Sequence, residues 1–327
     1  MKKTIYKNEL VERAFLICPY WITPVYFILT NSFPNHRVLI FALFVLILGE
    51  THFAATWLFF SLPENRNWFK RNQFKFILVP AFLLTIYGIY GYFNPSRAAL
   101  LGSALSAIHV TRQSIGIARL YGSKRKSVEE LGIYIFSALF LGIGFLRFFV
   151  SQNFLTNKLG LNVSILNKTT PFILVALGVY LFLIFRRINS SLNLQLAVST
   201  GVLLYFPYCF VNNSFDAVAI GVGMHWCQYL ALTYAVYVRK NQINNTNKNS
   251  KRKYYISLFI FSYAIITTSI ITKIGSVSQW ENSLLVLPLI LQAYHYYLDA
   301  FIWKFSDPDI RKNIGGRLFI FSQKEGS

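Results

Sequence analysis

The chain has 327 residues, of which 54% are hydrophobic, 17% aromatic and only 13% charged, with a formal net charge of +20. A soluble domain of this length carries about a quarter charged residues, so the composition excludes an ordinary soluble protein, and the mean hydropathy of +0.44 agrees. In a membrane protein the positive charge is a topology signal, which leaves no reason to expect nucleic acid as a partner.

The N-terminal Lys2, Lys3 and Lys7 precede an apolar run that begins near Ala14. No small-residue cleavage site follows, so the first helix is expected to be retained rather than removed as a signal peptide. Apolar runs near bilayer-spanning length fall at 14–33, 38–62, 75–93, 97–121, 131–152, 170–187, 190–212, 214–239, 254–273 and 280–304. They predict an all-α, polytopic transmembrane helical bundle of about ten helices, forming one domain over residues 1–327. The division between the sixth and seventh rests on Arg186-Arg187-Ile188-Asn189. Cys18, Cys209 and Cys227 lie in apolar runs without CxxC or CxxH spacing, which argues against a disulfide framework or a zinc-thiolate site.

Basic residues orient these spans. With a cytoplasmic N-terminus, the far side holds Arg37, Arg97, Arg147, Lys158, Lys168 and Lys273, and Arg112 and Arg119 fall within the fourth span. Every other Lys and Arg is cytoplasmic, a bias of about four to one that predicts both termini inside. The longest cytoplasmic loop, 239–253, is polar and basic and is expected to lie near anionic lipid headgroups, with a cytoplasmic tail over 305–327. The expected location is a bacterial inner (plasma) membrane, multi-pass.

Five histidines occur. His36 follows Pro34 in a short outer loop and is expected to be solvated. The others, His52, His109, His225 and His295, fall within the second, fourth, eighth and tenth spans, all running inward. Counted from the start of each span, their depths agree within roughly 6 Å, so they share one layer. Each also has polar company at helical spacing. Thr56 lies four residues after His52, and Glu50 is near it on another face. Arg112 and Gln113 follow His109, Gln228 and Tyr229 follow His225, and Asp299 lies four residues after His295. Polar residues inside a membrane bundle face its interior.

A lone buried histidine is usually structural, bonded across helices. Four in one layer point to metal, because neutral imidazole is the commonest metal ligand and takes a carboxylate or carbonyl as its outer partner. Asp299 and Glu50 are the candidate carboxylates. Arg112 and Gln113 are candidate donors to a carboxylate or bound oxygen, and Tyr229 is a candidate proton donor. An all-nitrogen set suits iron, copper or zinc. Fe2+ with open positions for dioxygen is the first expectation. Haem b or another divalent metal is the alternative. Tyr294, Tyr296 and Tyr297 around His295, with Trp226 and Phe53, are candidates for lining a cavity for a lipophilic small molecule from the bilayer. Hydrolytic elbows, P-loops, Rossmann fingerprints and clustered diiron histidine boxes are absent from the sequence.

Three short elements carry a family resemblance. Thr51-His52-Phe53 resembles a His-Phe element, Ile108 to Arg112 resembles an Ile-His-x-x-Arg element, and HYYLDAFIW from His295 to Trp303 resembles a terminal histidine–aspartate–aromatic element. Together they are similar to the Brp/Blh family of membrane-embedded carotenoid dioxygenases. The family's first element, a Gly-Leu-Pro-His-Gly-type turn, has no counterpart here. The resemblance implies an all-helical fold, one non-haem iron held by four histidines (here His52, His109, His225 and His295), and oxidative cleavage of a carotenoid, another polyene or an acyl chain. The competing expectation is a proton-coupled transporter, with Glu50, His52, Arg112, His225, His295 and Asp299 as a relay near the midplane.

Overall fold

The computed structural model describes residues 5–6, 8–149, 163–187, 191–211, 213–239 and 281–315, with the single positions 252, 255, 256, 259 and 318. The described residues are helical throughout, without strands. Helix α1 (Glu9–Ile17) and α2 (Ile22–Ser32) meet at a 65° bend. Pro19 sits in that break and provides no N–H to continue a helix. Next come α3 (Pro34–Phe60), α4 (Pro63–Arg71), α5 (Phe74–Phe93), α6 (Pro95–Leu120) and α7 (Val128–Phe149). Beyond them lie α8 (Val163–Phe185), α9 (Leu192–Leu203), α10 (Ser214–Arg239) and α11 (Glu281–Ile302).

Among the described residues, three helices are long and apolar enough to cross a membrane: α3, α5 and Val128–Arg147 of α7. A fourth is reached if the bent α1–α2 pair counts as one span. The ten expected spans differ from this for several physical reasons. Helices α6 and α10 are 26 residues each, about 39 Å and longer than a hydrocarbon core. Their arginines, histidines and hydroxyl side chains dilute their apolar content. The expected span over 190–212 is a 12-residue helix, α9, only about 18 Å long. A 3-10 turn, Phe206–Cys209, follows it, with Pro207 near its start. The span expected over 254–273 lies almost wholly outside the described residues.

The chain divides into two compact units. The first comprises Met1–Glu9, Leu46–His109 and Tyr229–Ser327, and the second Leu10–Val45 and Val110–Gln228.

In the first unit, α11 packs on α5 and on α3. Tyr294 and Tyr297 donate their hydroxyls to the backbone carbonyls of Phe76 (2.7 Å) and Lys75 (2.8 Å), tying α11 to the start of α5. That start is a π-helical stretch, Phe74–Leu78. Helix α4 was not anticipated from hydropathy because it is amphipathic and polar. It buries Trp68 and Asn65 and leaves Arg71 exposed. Trp68 donates to Asp307, Asn313 donates to Asn65, and Arg71 pairs with Asp309 at 2.6 Å, so the segment after α11 folds onto α4. Asp307 also caps the turn Pro308–Ile310 by accepting from two backbone N–H groups.

In the second unit, α9 is buried along most of its length and packs against α7, α8 and α1. Small residues allow this. A Cβ on Gly201 would meet Ile133 at 3.0 Å and Ser114 at 3.2 Å. Gly221 of α10 lies against the chain just beyond α9, where an added Cβ would stand 2.1 Å from the Leu204 carbonyl oxygen. Polar ties complete the unit. Buried Asp216 accepts from Tyr26 at 2.6 Å and pairs with Arg37. Arg13 donates to Asn193 at 3.0 Å, and Tyr121 donates to Glu12 at 2.6 Å.

Candidate metal centre

The site in the first unit is built by α3, α6, α10 and α11. A π-helical stretch, Val45–Glu50, interrupts α3 immediately before His52. Such turns widen a helix and re-aim the residues that follow, and they recur at functional sites. His52, His109, His295 and Asp299 are all buried, at 1%, 8%, 2% and 4% exposure.

His109 Nε2 lies 3.8 Å from Asp299 Oδ2, and His295 Nε2 lies 3.7 Å from the same oxygen. The three ligand atoms fall within 4.8 Å of one another. Around a first-row metal with bonds of about 2.1 Å, donor atoms sit about 3.0–3.4 Å apart. The two distances to Asp299 exceed that spacing by a few tenths of an ångström, and two imidazoles with a carboxylate are a donor set that fits an ion. The His52 ring stands edge-on to His295 with centroids 4.4 Å apart, and His109 lies 4.9 Å from His295.

The other carboxylate oxygen is held from behind. Tyr229 donates to Asp299 Oδ1 at 2.8 Å, and Thr56 Oγ1 lies 3.3 Å from the same oxygen. Thr56 also lies 2.7 Å from the Tyr229 hydroxyl and 2.6 Å from His295 Nδ1. A threonine hydroxyl has one proton. The Tyr229 proton goes to Asp299, so the 2.7 Å contact between the two hydroxyls takes the Thr56 proton, and Thr56 accepts from His295 Nδ1–H. Neutral His295 then presents Nε2 as its acceptor atom, toward Asp299 Oδ2 and His109. The tautomer follows from this network, and it is the one a metal requires.

Aromatic rings surround the group. Phe53 packs edge-on to His295 at 5.0 Å, and Tyr296 lies against His109 at 4.6 Å. Half-buried Glu50 ends the π-helical stretch that precedes His52. Tyr294 and Tyr297 direct their hydroxyls to α5 carbonyls.

The remaining sequence candidates belong to the second unit. His225 is buried on α10, one turn before Tyr229 on the same helix. Trp226 is buried, and Gln228 donates to the Ile17 carbonyl at 3.1 Å, a structural tie between α10 and the end of α1. Arg112 is exposed and Gln113 half-buried. His36 is exposed in the turn Pro34–His36.

Thr56 is the functional residue that sequence reasoning underweighted. Its signal was its position four residues after His52. Three helices repeat that spacing: His52 with Thr56, His225 with Tyr229, and His295 with Asp299. The second members of all three pairs hydrogen-bond one another. No family model, no curated protein and no solved structure matches this chain.

Proposed function

We propose that the protein is a membrane oxidoreductase with a non-haem ferrous centre held by His109, His295 and Asp299, with His52 and His225 as further imidazoles. The observation that carries this reading is the meeting of two histidine Nε2 atoms with one carboxylate oxygen at 3.7 and 3.8 Å in a buried site. Two histidines and one carboxylate with open positions is the donor set of non-haem ferrous oxygenases. His225 is included on helical spacing. Thr56, Tyr229 and Asp299 meet, and each lies one turn beyond a histidine of its own helix. Bound iron would supply dioxygen activation. The chain's own residues do the rest. Thr56 fixes the His295 tautomer, Asp299 offsets the cationic charge, and Tyr229 holds a proton against Asp299. Phe53 and Tyr296 keep water from the site and offer an aromatic wall to an apolar substrate.

The substrate class is a long lipophilic molecule drawn from the bilayer, a carotenoid, another polyene or an acyl chain. The resemblance of the histidine elements to the carotenoid-cleaving Brp/Blh family supports the first. The proposed setting is a multi-pass bacterial inner-membrane protein with about ten spans and cytoplasmic termini, supported by the four-to-one basic bias.

One observation favours a second reading, a proton-coupled transporter: the continuous hydrogen bonding of Tyr229, Asp299, Thr56 and His295. Metal analysis of the detergent-purified full chain, with an absorption spectrum, separates the readings. Stoichiometric iron without a Soret band is the expected result. A Soret band would indicate haem b, and protein free of metal after purification without chelator would leave the relay. His52→Ala, His109→Ala, His225→Ala and His295→Ala should each remove most of the iron, while His36→Ala should not.

A further inference from the structure

A second site lies in the second unit, formed by residues from α7, α8 and the short segment after α8. A groove of about 420 Å³ runs there, lined by Val128, Tyr180, Leu183, Ile184, Arg186 and Arg187. That volume is within the range of about 300–1,000 Å³ that holds small ligands. Its floor is shaped by a close approach. The phenol end of Tyr180 lies against Gly132, where an added Cβ would stand 2.1 Å from the phenol oxygen. The Tyr180 hydroxyl reaches the carbonyls of Val128 and Glu129 at 3.3 and 3.4 Å.

The groove has two chemistries side by side. Val128 and Leu183 are large apolar residues exposed at 50% or more. Beside them stand exposed Arg186 and Arg187, and the turn before α7 adds exposed Lys124, Arg125 and Lys126. Two glutamates at this end are already engaged, Glu129 with Arg187 at 2.6 Å and Glu130 with Arg119. The balance at the mouth is therefore cationic. Water accommodates the cations but not the apolar wall, and a hydrocarbon phase does the reverse. A molecule with an anionic head and a greasy tail satisfies both.

We propose that this groove binds an anionic phospholipid, its phosphate against Arg186 and an acyl chain along Val128, Tyr180 and Leu183. Arginine suits the role because its planar fork pairs phosphate oxygens two at a time. The assignment rests on the membrane reading of the chain and is independent of the metal centre.

The test uses the full chain in detergent, exchanged into nanodiscs of phosphatidylcholine with or without phosphatidylglycerol, then re-extracted, washed and weighed by native mass spectrometry. Phosphatidylglycerol should stay bound in preference to phosphatidylcholine. Arg186→Gln, at an exposed site that folding does not need, should cut that preference about fivefold. Val128→Trp keeps the arginines but fills the groove, and should lose both lipids. Equal retention of the two lipids would overturn the proposal, as would an unchanged preference in Arg186→Gln. Displacement of the lipid by inorganic phosphate alone, or a dimer that excludes lipid from this face, would also count against it. Iron content should be unchanged in both variants, so failure here is distinguishable from failure of the oxygenase reading.

Discussion

Thr56 has one hydroxyl and three polar neighbours, His295 Nδ1 at 2.6 Å, the Tyr229 hydroxyl at 2.7 Å and Asp299 at 3.3 Å. It is the joint between the imidazole layer and the carboxylate. Thr56→Val keeps shape and volume but removes the acceptor for His295 Nδ1–H. Loss of such an outer partner typically costs about 10–100-fold in metal affinity, and iron titration should show that drop. Thr56→Ser restores the hydroxyl and should restore most of the affinity. If valine and serine behave alike, the hydrogen bond does not orient His295. Asp299 was legible in the sequence as a carboxylate one turn from a histidine. Its division of labour was not, because spacing along one helix cannot say that one oxygen faces two imidazoles while the other accepts from Tyr229.

At the scale of elements, the approach of α10 to the chain after α9 is set by Gly221. A methyl group there would collide with a backbone carbonyl, which cannot rotate away as a side chain can. Gly221→Ala should therefore destabilise by about 1–3 kcal/mol despite the better helix propensity of alanine. Gly178 in α8 has nothing within 4 Å of an added Cβ, so Gly178→Ala should be neutral or stabilising by up to about 1 kcal/mol. Thermal unfolding in detergent measures both, and equal shifts would refute the packing argument. The same elements explain where hydropathy misled. Residues 190–212 are apolar enough to suggest a span, yet the structure divides them between a 12-residue helix and a 3-10 turn. Helix α4 was missed for the opposite reason: its polar residues bond locally and to the segment that follows α11, and hydropathy does not register such bonds.

At the scale of the whole molecule, a metal that binds only the folded chain stabilises it by mass action, by about 2.7 kcal/mol when free metal is a hundredfold above Kd. Chelation should lower the melting temperature of the wild type and leave that of His109→Ala almost unchanged. An equal fall in both would mean that no metal sits at that histidine. The basic bias gives a separate check. Single cysteines placed by Asn35→Cys and Lys126→Cys should label from opposite faces of sealed vesicles, and labelling from one face would break the proposed topology. By itself the sequence determined the helical class, the low charged fraction and the histidines worth attention, because hydropathy and period are local properties of a chain. Only the tertiary structure decided where the helices begin and end, that Thr56 joins Tyr229 to Asp299, and that Arg112 is exposed. Those outcomes depend on distances between residues far apart in sequence, which no periodicity encodes.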